Sequence, residues 1–237
     1  MILPFNRTRG PAVAPASYRV IHNAQAESAD IYLYGVIGGG GWFDDTGITA
    51  DQFQKDLKAL GAVKTLDVRI NSEGGDVFDA QAIYNLLVQH KASVTVHIDG
   101  LAASAASFIA MAGEKILVAE NAFMMIHNAS MVAFGQAVDL EKAATMLRSV
   151  DAVITDVYAA RTRTPLATIR TMMSDETWMS GKEAIKLNFA DELLPNLQIA
   201  ACVSQPDRFR KVPEALRPRR AAAMAAIHSM TPNRKGR

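Results

Sequence analysis

Two side chains in this 237-residue sequence have the types and settings that nucleophilic catalysis requires. Ser104 stands in Gly100-Leu101-Ala102-Ala103-Ser104-Ala105-Ala106-Ser107, a run of small residues. A serine reached through a tight turn and opening a helix can present its hydroxyl to a cleft. Backbone N–H groups at the helix start point the same way and can stabilise an oxyanion. The same run would also suit a small-residue helix packed closely in a core. His127 ends the apolar run Phe123-Met124-Met125-Ile126 and could take a serine proton, although a lone histidine there also reads as a satisfied core residue. Gly74-Gly75 follows a strand. The two glycines serve a tight turn, or they let a substrate backbone approach and offer it an N–H. His22 and His228 lie in the end segments, His90 ends a helix and His97 sits within a strand, so they are weaker candidates.

The elements that must position these residues follow from periodicity and punctuation. Ile31 to Ile37 is a β-rich run ended by Gly38 to Gly41. Thr49 can cap a helix with Phe53, Leu57 and Leu60 on one face. Leu66 to Ile70 alternates as a second strand, Asn71 to Asp76 reads as a tight loop, and a helix is expected from about Val77 to His90. Val94 to Ile98 is a third strand, which Gly100 is expected to break before a short helix reaching Gly113. Lys115 to Val118 and Phe123 to Ile126 are short strands. A long helix spans roughly 136–163, Pro165 interrupts it, and shorter helices follow over Leu166–Met173 and Gly181–Leu187. Strand, helix, strand, helix in this order argues for βαβ units and an α/β fold. In such sheets ligands bind at the turns beyond the carboxyl ends of the strands, and Gly74-Gly75 and Gly100–Ser104 are two of those turns.

Composition bounds the rest. A hydrophobic fraction of 49% and a charged fraction of 21% are ordinary globular values. From Ser204 to Arg237 there are nine Lys/Arg against two Asp/Glu, so the total of +1 divides into a basic tail of +7 and a body of about −6. Cys202 is the one cysteine, which excludes an intrachain disulfide and suits a reducing compartment. The opening apolar run is too short for a signal peptide, and Leu101–Gly113 falls well short of the ~20 residues a bilayer span needs. We expect a soluble cytoplasmic protein with an arm or leader over 1–28, a folded domain over 29–198 and a flexible basic tail over 199–237. The tail could contact nucleic acid or an acidic scaffold, but a solubilising or self-cleaved tail is the plainer reading.

Three segments together carry a family resemblance. The sequence has Asn71-Ser72-Glu73-Gly74-Gly75, then Gly100-Leu101-Ala102-Ala103-Ser104, then Met125-Ile126-His127. It resembles the Clp protease family, whose pattern is Asn-Ser-Pro-Gly-Gly, Gly-x-Ala-Ala-Ser and Met-Ile-His in the same order and at similar spacing. The resemblance covers about residues 30 to 195 and continues through Glu176-Thr177-Trp178-Met179-Ser180 and Glu183-Ala184 to Ala190-Asp191. The phage and prophage head maturation (prohead) protease family is closer still. Its members resemble this chain in Asp30 to Gly35, in the glycine turn leading to Trp42, and in Glu176-Thr177-Trp178.

The resemblance implies an α/β fold of the Clp protease/crotonase type, built from repeated ββα and βαβ units. It implies Ser104 as nucleophile, His127 as base, the N–H groups of Gly75 and Ala105 as oxyanion donors, and Gly74 beside the substrate backbone. The family's acid is an aspartate four residues before the Ser/Thr that opens the Glu-Ala helix. Here that position is Glu176, and Asp175 is the alternate acid. Ser107 is a weaker alternative nucleophile, and Glu73 stands where the family usually has proline. The activity implied is ATP-independent serine endopeptidase cleavage of a capsid or scaffold precursor by a homo-oligomer that could form a ring, with no metal or organic cofactor and no membrane contact. The first turns of the long helix match the family's inter-ring handle. The alternatives are a housekeeping Clp-type subunit served by a separate ATPase, a crotonase-type acyl-CoA enzyme, and a catalytically silent assembly component. No Gly-x-x-x-x-Gly-Lys-Ser/Thr loop is present, so ATP hydrolysis by that route is excluded.

Overall fold

The computed structural model describes residues 17–39, 47–197, 203–204 and 206–217. Most of the turn containing Trp42, together with Cys202, His228 and the ends of the chain, lies outside the described residues.

Strands alternate with helices through the first two thirds of the chain. The order is β1 (Ser17–Asn23), β2 (Ser28–Ile37), α1 (Ala50–Ala59), β3 (Thr65–Gly75), α2 (Val77–Val88), β4 (Ser93–Ala103) and α3 (Ala105–Ala110). There follow β5 (Lys115–Ala119), β6 (Phe123–Ile126), α4 (Ala137–Thr162), α5 (Leu166–Ser174), β7 (Thr177–Ser180), α6 (Gly181–Lys186) and β8 (Glu192–Leu194). The main sheet runs β1-β2-β3-β4-β5-β8, and β6 joins β4 while carrying β7 on its other side. The β1–β2 and β6–β7 pairs are antiparallel, and the other pairs are parallel. The expected α/β architecture of alternating units is present.

Local chemistry sets the helix starts. The Thr49 side chain accepts from Gln52 N to open α1, and Asp76 accepts from Phe78 N and Asp79 N to open α2. Strand β3 alternates in burial along its whole length, placing Leu66, Val68 and Ile70 in the core. Each such side chain contributes about 1.5–3 kcal/mol on leaving water. In β4 the alternation gives way to continuous burial from Ile98 to Ala103, where the strand is covered on both faces.

Three expectations from sequence need correcting. Gly100 does not break the third strand, because β4 continues to Ala103 through parallel pairing of Leu101–Ala103 with Phe123–Met125. Asn71–Gly75 is not a separate loop but the end of β3, held by Gly74 and Gly75 pairing with Val36 and Ile37. The segment read as an N-terminal arm contains β1, whose pairing runs from Ser17–Tyr34 to Asn23–Ser28. In each case pairing to a neighbouring strand overrides a weak local preference.

Candidate functional site

Strand register assembles the site. β4 and β6 run parallel with Ala103 opposite Met125, and Ser104 N donates to Met125 O at 2.9 Å. The residues that follow these strand ends, Ser104 and His127, therefore emerge side by side. β7 runs antiparallel to β6 with Thr177 opposite Ile126, so the residue before Thr177 emerges at the same edge. That residue is Glu176.

Ser104 is held in an unusual conformation, φ 54° and ψ −127°, at the junction of β4 and α3. A non-glycine residue there carries strain of about 1–3 kcal/mol, which the surrounding structure must offset. Ser104 is the N-cap of α3 but makes no side-chain cap bond. Its Oγ lies instead 2.7 Å from His127 Nε2. A serine hydroxyl in this contact can pass its proton to a neutral ring. Burial lowers the His127 pKa below the usual imidazole value, the charge of Glu176 raises it, and Arg210 and Arg208 lower it. The net direction is downward, so the ring stays an available base into mildly acid conditions.

The glycine pair packs directly against this turn. A Cβ on Gly74, whose φ is 93°, would meet Ala103 O at 2.6 Å and Ala105 N at 2.8 Å. A Cβ on Gly75, at φ 150°, would stand 2.0 Å from Ile37 O. Only glycine fits either position. Gly74 N is taken by the buried Ser72 Oγ at 3.0 Å. Ala105 opens α3, so its N–H has no partner within the helix. Gly75, Ser104, Ala105 and His127 line one cleft of about 310 Å³, walled further in by Phe108 and Ile154.

The two acidic candidates separate clearly. Asp175 is exposed at the end of α5, whereas Glu176 is 3% exposed and acts electrostatically on His127. Burial pushes the Glu176 pKa up, but the N–H groups of Arg210, Lys211 and Trp178 and the nearby His127 bring it below the usual carboxylate value. Its Oε1 accepts from Lys211 N at 2.6 Å and Trp178 Nε1 at 3.1 Å, and its Oε2 accepts from Arg210 N at 2.7 Å. Among the described residues, no hydrogen bond joins Glu176 to the imidazole.

Ser107 is fully buried, with its Oγ at 2.7 Å from Ser104 O, 2.8 Å from Met125 O and 2.8 Å from Tyr158 Oη. It braces the Ser104 turn from inside. His97 pairs with Asp67 at 2.7 Å, and His90 Nδ1 accepts from Ala92 N at 3.1 Å.

Sequence reading missed the contribution of residues 206–217. Val212 and Leu216 are buried and cluster with Val203, Leu101, Ala103 and Met125, on the strands that carry Ser104 and His127. This part of the expected flexible tail is thus packed on the domain, because those apolar side chains cover the outer faces of β4 and β6. Val212 and Leu216 are four residues apart, but Pro206 and Pro213 interrupt the segment, so the signal in sequence is slight. Among the described residues there is no group of three or more His, Cys, Asp or Glu placed to hold a metal, and no helix long and apolar enough to cross a membrane. A family model described as Clp protease matches residues 43–196.

Proposed function

The chain belongs to the Clp protease family, and we propose that it is a serine endopeptidase in which Ser104 is the nucleophile and His127 the general base. The observation that carries this reading is the 2.7 Å contact from Ser104 Oγ to His127 Nε2, made by a serine held at φ 54°. The family match is consistent with serine endopeptidase activity.

The reaction proceeds in two halves. Ser104 Oγ attacks the substrate carbonyl carbon while its proton passes to His127 Nε2. The C–N bond then breaks, the leaving amine takes that proton, and an acyl ester remains on Ser104. Water repeats the sequence, releasing the acid and restoring the hydroxyl. The N–H groups of Gly75 and Ala105 receive the developing oxyanion, a role supported by their place on the cleft and by the partnerless helix-start position of Ala105. Gly74 supports the backbone approach. Glu176 stabilises the charged ring, and its burial beside His127 favours it over the exposed Asp175. The chemistry is carried by side chains and backbone alone.

The substrate is protein. The match to the general Clp protease model favours a Clp-type proteolytic subunit, assembled as a homo-oligomeric ring and fed by a separate ATPase in the cytoplasm. A narrower reading, ATP-independent cleavage of capsid or scaffold precursor during phage head maturation, rests on the resemblance carried by Glu176-Thr177-Trp178, in which Trp178 Nε1 donates to Glu176 Oε1. The fold relationship to crotonases belongs to the same proposal, but an acyl-CoA enzyme would work through carboxylates and leave the Ser104–His127 contact without a task.

The test is labelling by a fluorophosphonate serine probe, with mass spectrometry to locate the adduct. An adduct on Ser104, lost in Ser104→Ala together with casein cleavage, is expected. Turnover of CoA thioesters without an adduct would replace this reading with the crotonase one. Stimulation of cleavage by a Clp ATPase, against cleavage of a capsid precursor without ATP, separates the two substrate readings.

A further inference from the structure

Two carboxylates at the site, Glu73 on the cleft wall and the buried Glu176 beside His127, are not free: a later segment of the same chain occupies them. Glu73 Oε1 accepts from Ser204 N at 2.5 Å, and Glu176 accepts from the N–H groups of Arg210 and Lys211. Between these anchors, Arg208 and Phe209 line the same cleft as Ser104 and His127. The Phe209 ring lies 5.8 Å from the His127 ring and 5.7 Å, edge-on, from that of Trp178. Arg210 Nη2 adds a bond to Ser174 O at 2.6 Å.

The attachment is built in two parts. Val212 and Leu216 sink into the small apolar cluster with Leu101, Ala103 and Met125, and Val203 N closes the segment by donating to Leu216 O at 2.8 Å. Arg208-Phe209-Arg210-Lys211, whose residues are half-buried or exposed, then lies against the acidic groups at the cleft. A basic and aromatic stretch of peptide meets Glu176, which is complementary in charge and uses the backbone N–H groups any polypeptide carries.

We propose that residues 206–217 form an intramolecular inhibitory strap that competes with polypeptide substrate for the cleft and holds the Glu176 carboxylate on its own backbone, away from the His127 ring. The strap rests on the peptidase reading above. While it is seated, both Glu176 oxygens are engaged and the ring loses the partner that would fix its orientation. Displacing Phe209 to Lys211 opens the wall of the cleft and frees Glu176 for His127 in one movement. The buried anchors Val212 and Leu216 can stay in place during that movement, so release needs no unfolding of the domain.

The experiment uses the full chain. Lys211→Pro removes the N–H that Glu176 Oε1 accepts, and Phe209→Ala removes the ring from the cleft. Both leave Val203, Val212 and Leu216 untouched, and thermal melting checks that each folds. Two readouts are followed: the rate of fluorophosphonate modification of Ser104, and acrylamide quenching of Trp178 in a Trp42→Phe background. Release should raise quenching and speed modification about ten-fold, the scale of one hydrogen bond to a charged group. A synthetic peptide of residues 203–217 should slow modification of the released variants again. Greater quenching of Trp178 with unchanged or slower modification overturns the strap and leaves the peptidase reading intact, as does cleavage within 206–217 by the parent, which would make the segment a substrate. Unchanged quenching in both variants overturns it too. No modification of Ser104 in any form overturns the peptidase reading, and the strap with it.

Discussion

His127 and Glu176 are neighbours by strand register: Ile126 pairs with Thr177 across β6 and β7, so the residue after one and the residue before the other leave the sheet at the same edge. Shifting to Asp175 would move the carboxylate one residue further along the chain, to an exposed position. Glu176→Ala should therefore lower turnover by about 10²–10⁴, the range in which loss of a triad acid falls. Asp175→Ala should leave kcat and KM near those of the parent. Steady-state hydrolysis of a small peptide ester by the two variants measures the difference, and equal losses would remove Glu176 from its proposed role.

The pH profile follows from the groups around His127. As the proposed base, His127 must be neutral, so activity should be present above the ring's pKa and lost as pH falls through it. Burial, with Arg210 and Arg208, holds that pKa below the usual value against the opposing charge of Glu176. The acid limb of kcat/KM should thus lie below the ~6.5 of a free imidazole. Arg208→Gln with Arg210→Gln should move the limb upward, and Glu176→Gln should move it further down. A limb that stays fixed in both variants would show that another group controls the profile.

How much of this was legible in sequence depends on whether a residue's role is local. Ser104, His127 and the glycine pair are each ambiguous alone, because close core packing, a satisfied core histidine and a plain tight turn fit them as well. The joint spacing of Asn71–Gly75, Gly100–Ser104 and Met125–His127 then carried the family resemblance. Strand lengths were not legible: Gly74, Gly75 and Gly100 read as breakers, yet β2 and β6 supply pairing partners that propensity does not see. β1 was hidden because the segment around it carries Pro and Gly punctuation with only Val20 and Ile21 as an apolar pair, and its register is set by β2. The packing of residues 206–217 was invisible for a related reason. Val212 and Leu216 gain their burial from Leu101, Ala103 and Met125, roughly a hundred residues away along the chain.

Steric limits at the glycine pair give a second site prediction. A methyl group at Gly75 would overlap Ile37 O, and the backbone must shift to accept it. That shift moves the N–H proposed for the oxyanion. Gly75→Ala should cost about 10²–10³ in kcat with a smaller change in KM. Fluorophosphonate modification should slow in parallel, while circular dichroism stays close to the parent. Retained kcat would place the oxyanion donors elsewhere.

Away from the cleft, Asp99 is completely buried and binds three groups: Arg69 Nη2 at 2.6 Å, Arg69 Nε at 2.8 Å and Tyr34 Oη at 2.5 Å. Asp99→Ala leaves a guanidinium uncompensated between β3 and β4. Urea unfolding should show a loss of about 3–5 kcal/mol. Tyr34→Phe removes one bond to the carboxylate and leaves the ion pair, so its cost should be smaller, about 1.5–3 kcal/mol. Equal costs would mean that the cluster is not organised around Asp99.

The long helix and the segment before it present apolar side chains to solvent that a monomer has no reason to keep there. Val132 and Phe134 are 78% and 90% exposed, and Val138, Leu140 and Val153 on α4 are each at least 45% exposed. Exposed apolar residues concentrated in one region mark a surface that is covered in the assembled state. The proposed homo-oligomer would cover it, which ties association to the region nearest the cleft, since Met131 and Met146 also line that cleft. Leu140→Glu and Phe134→Ser should each lower the sedimentation coefficient toward that of a monomer without lowering the melting temperature of the isolated domain fold. Peptidase activity should fall with dissociation and recover at high protein concentration. A parent chain that sediments as a monomer at every concentration would show that this surface has another partner.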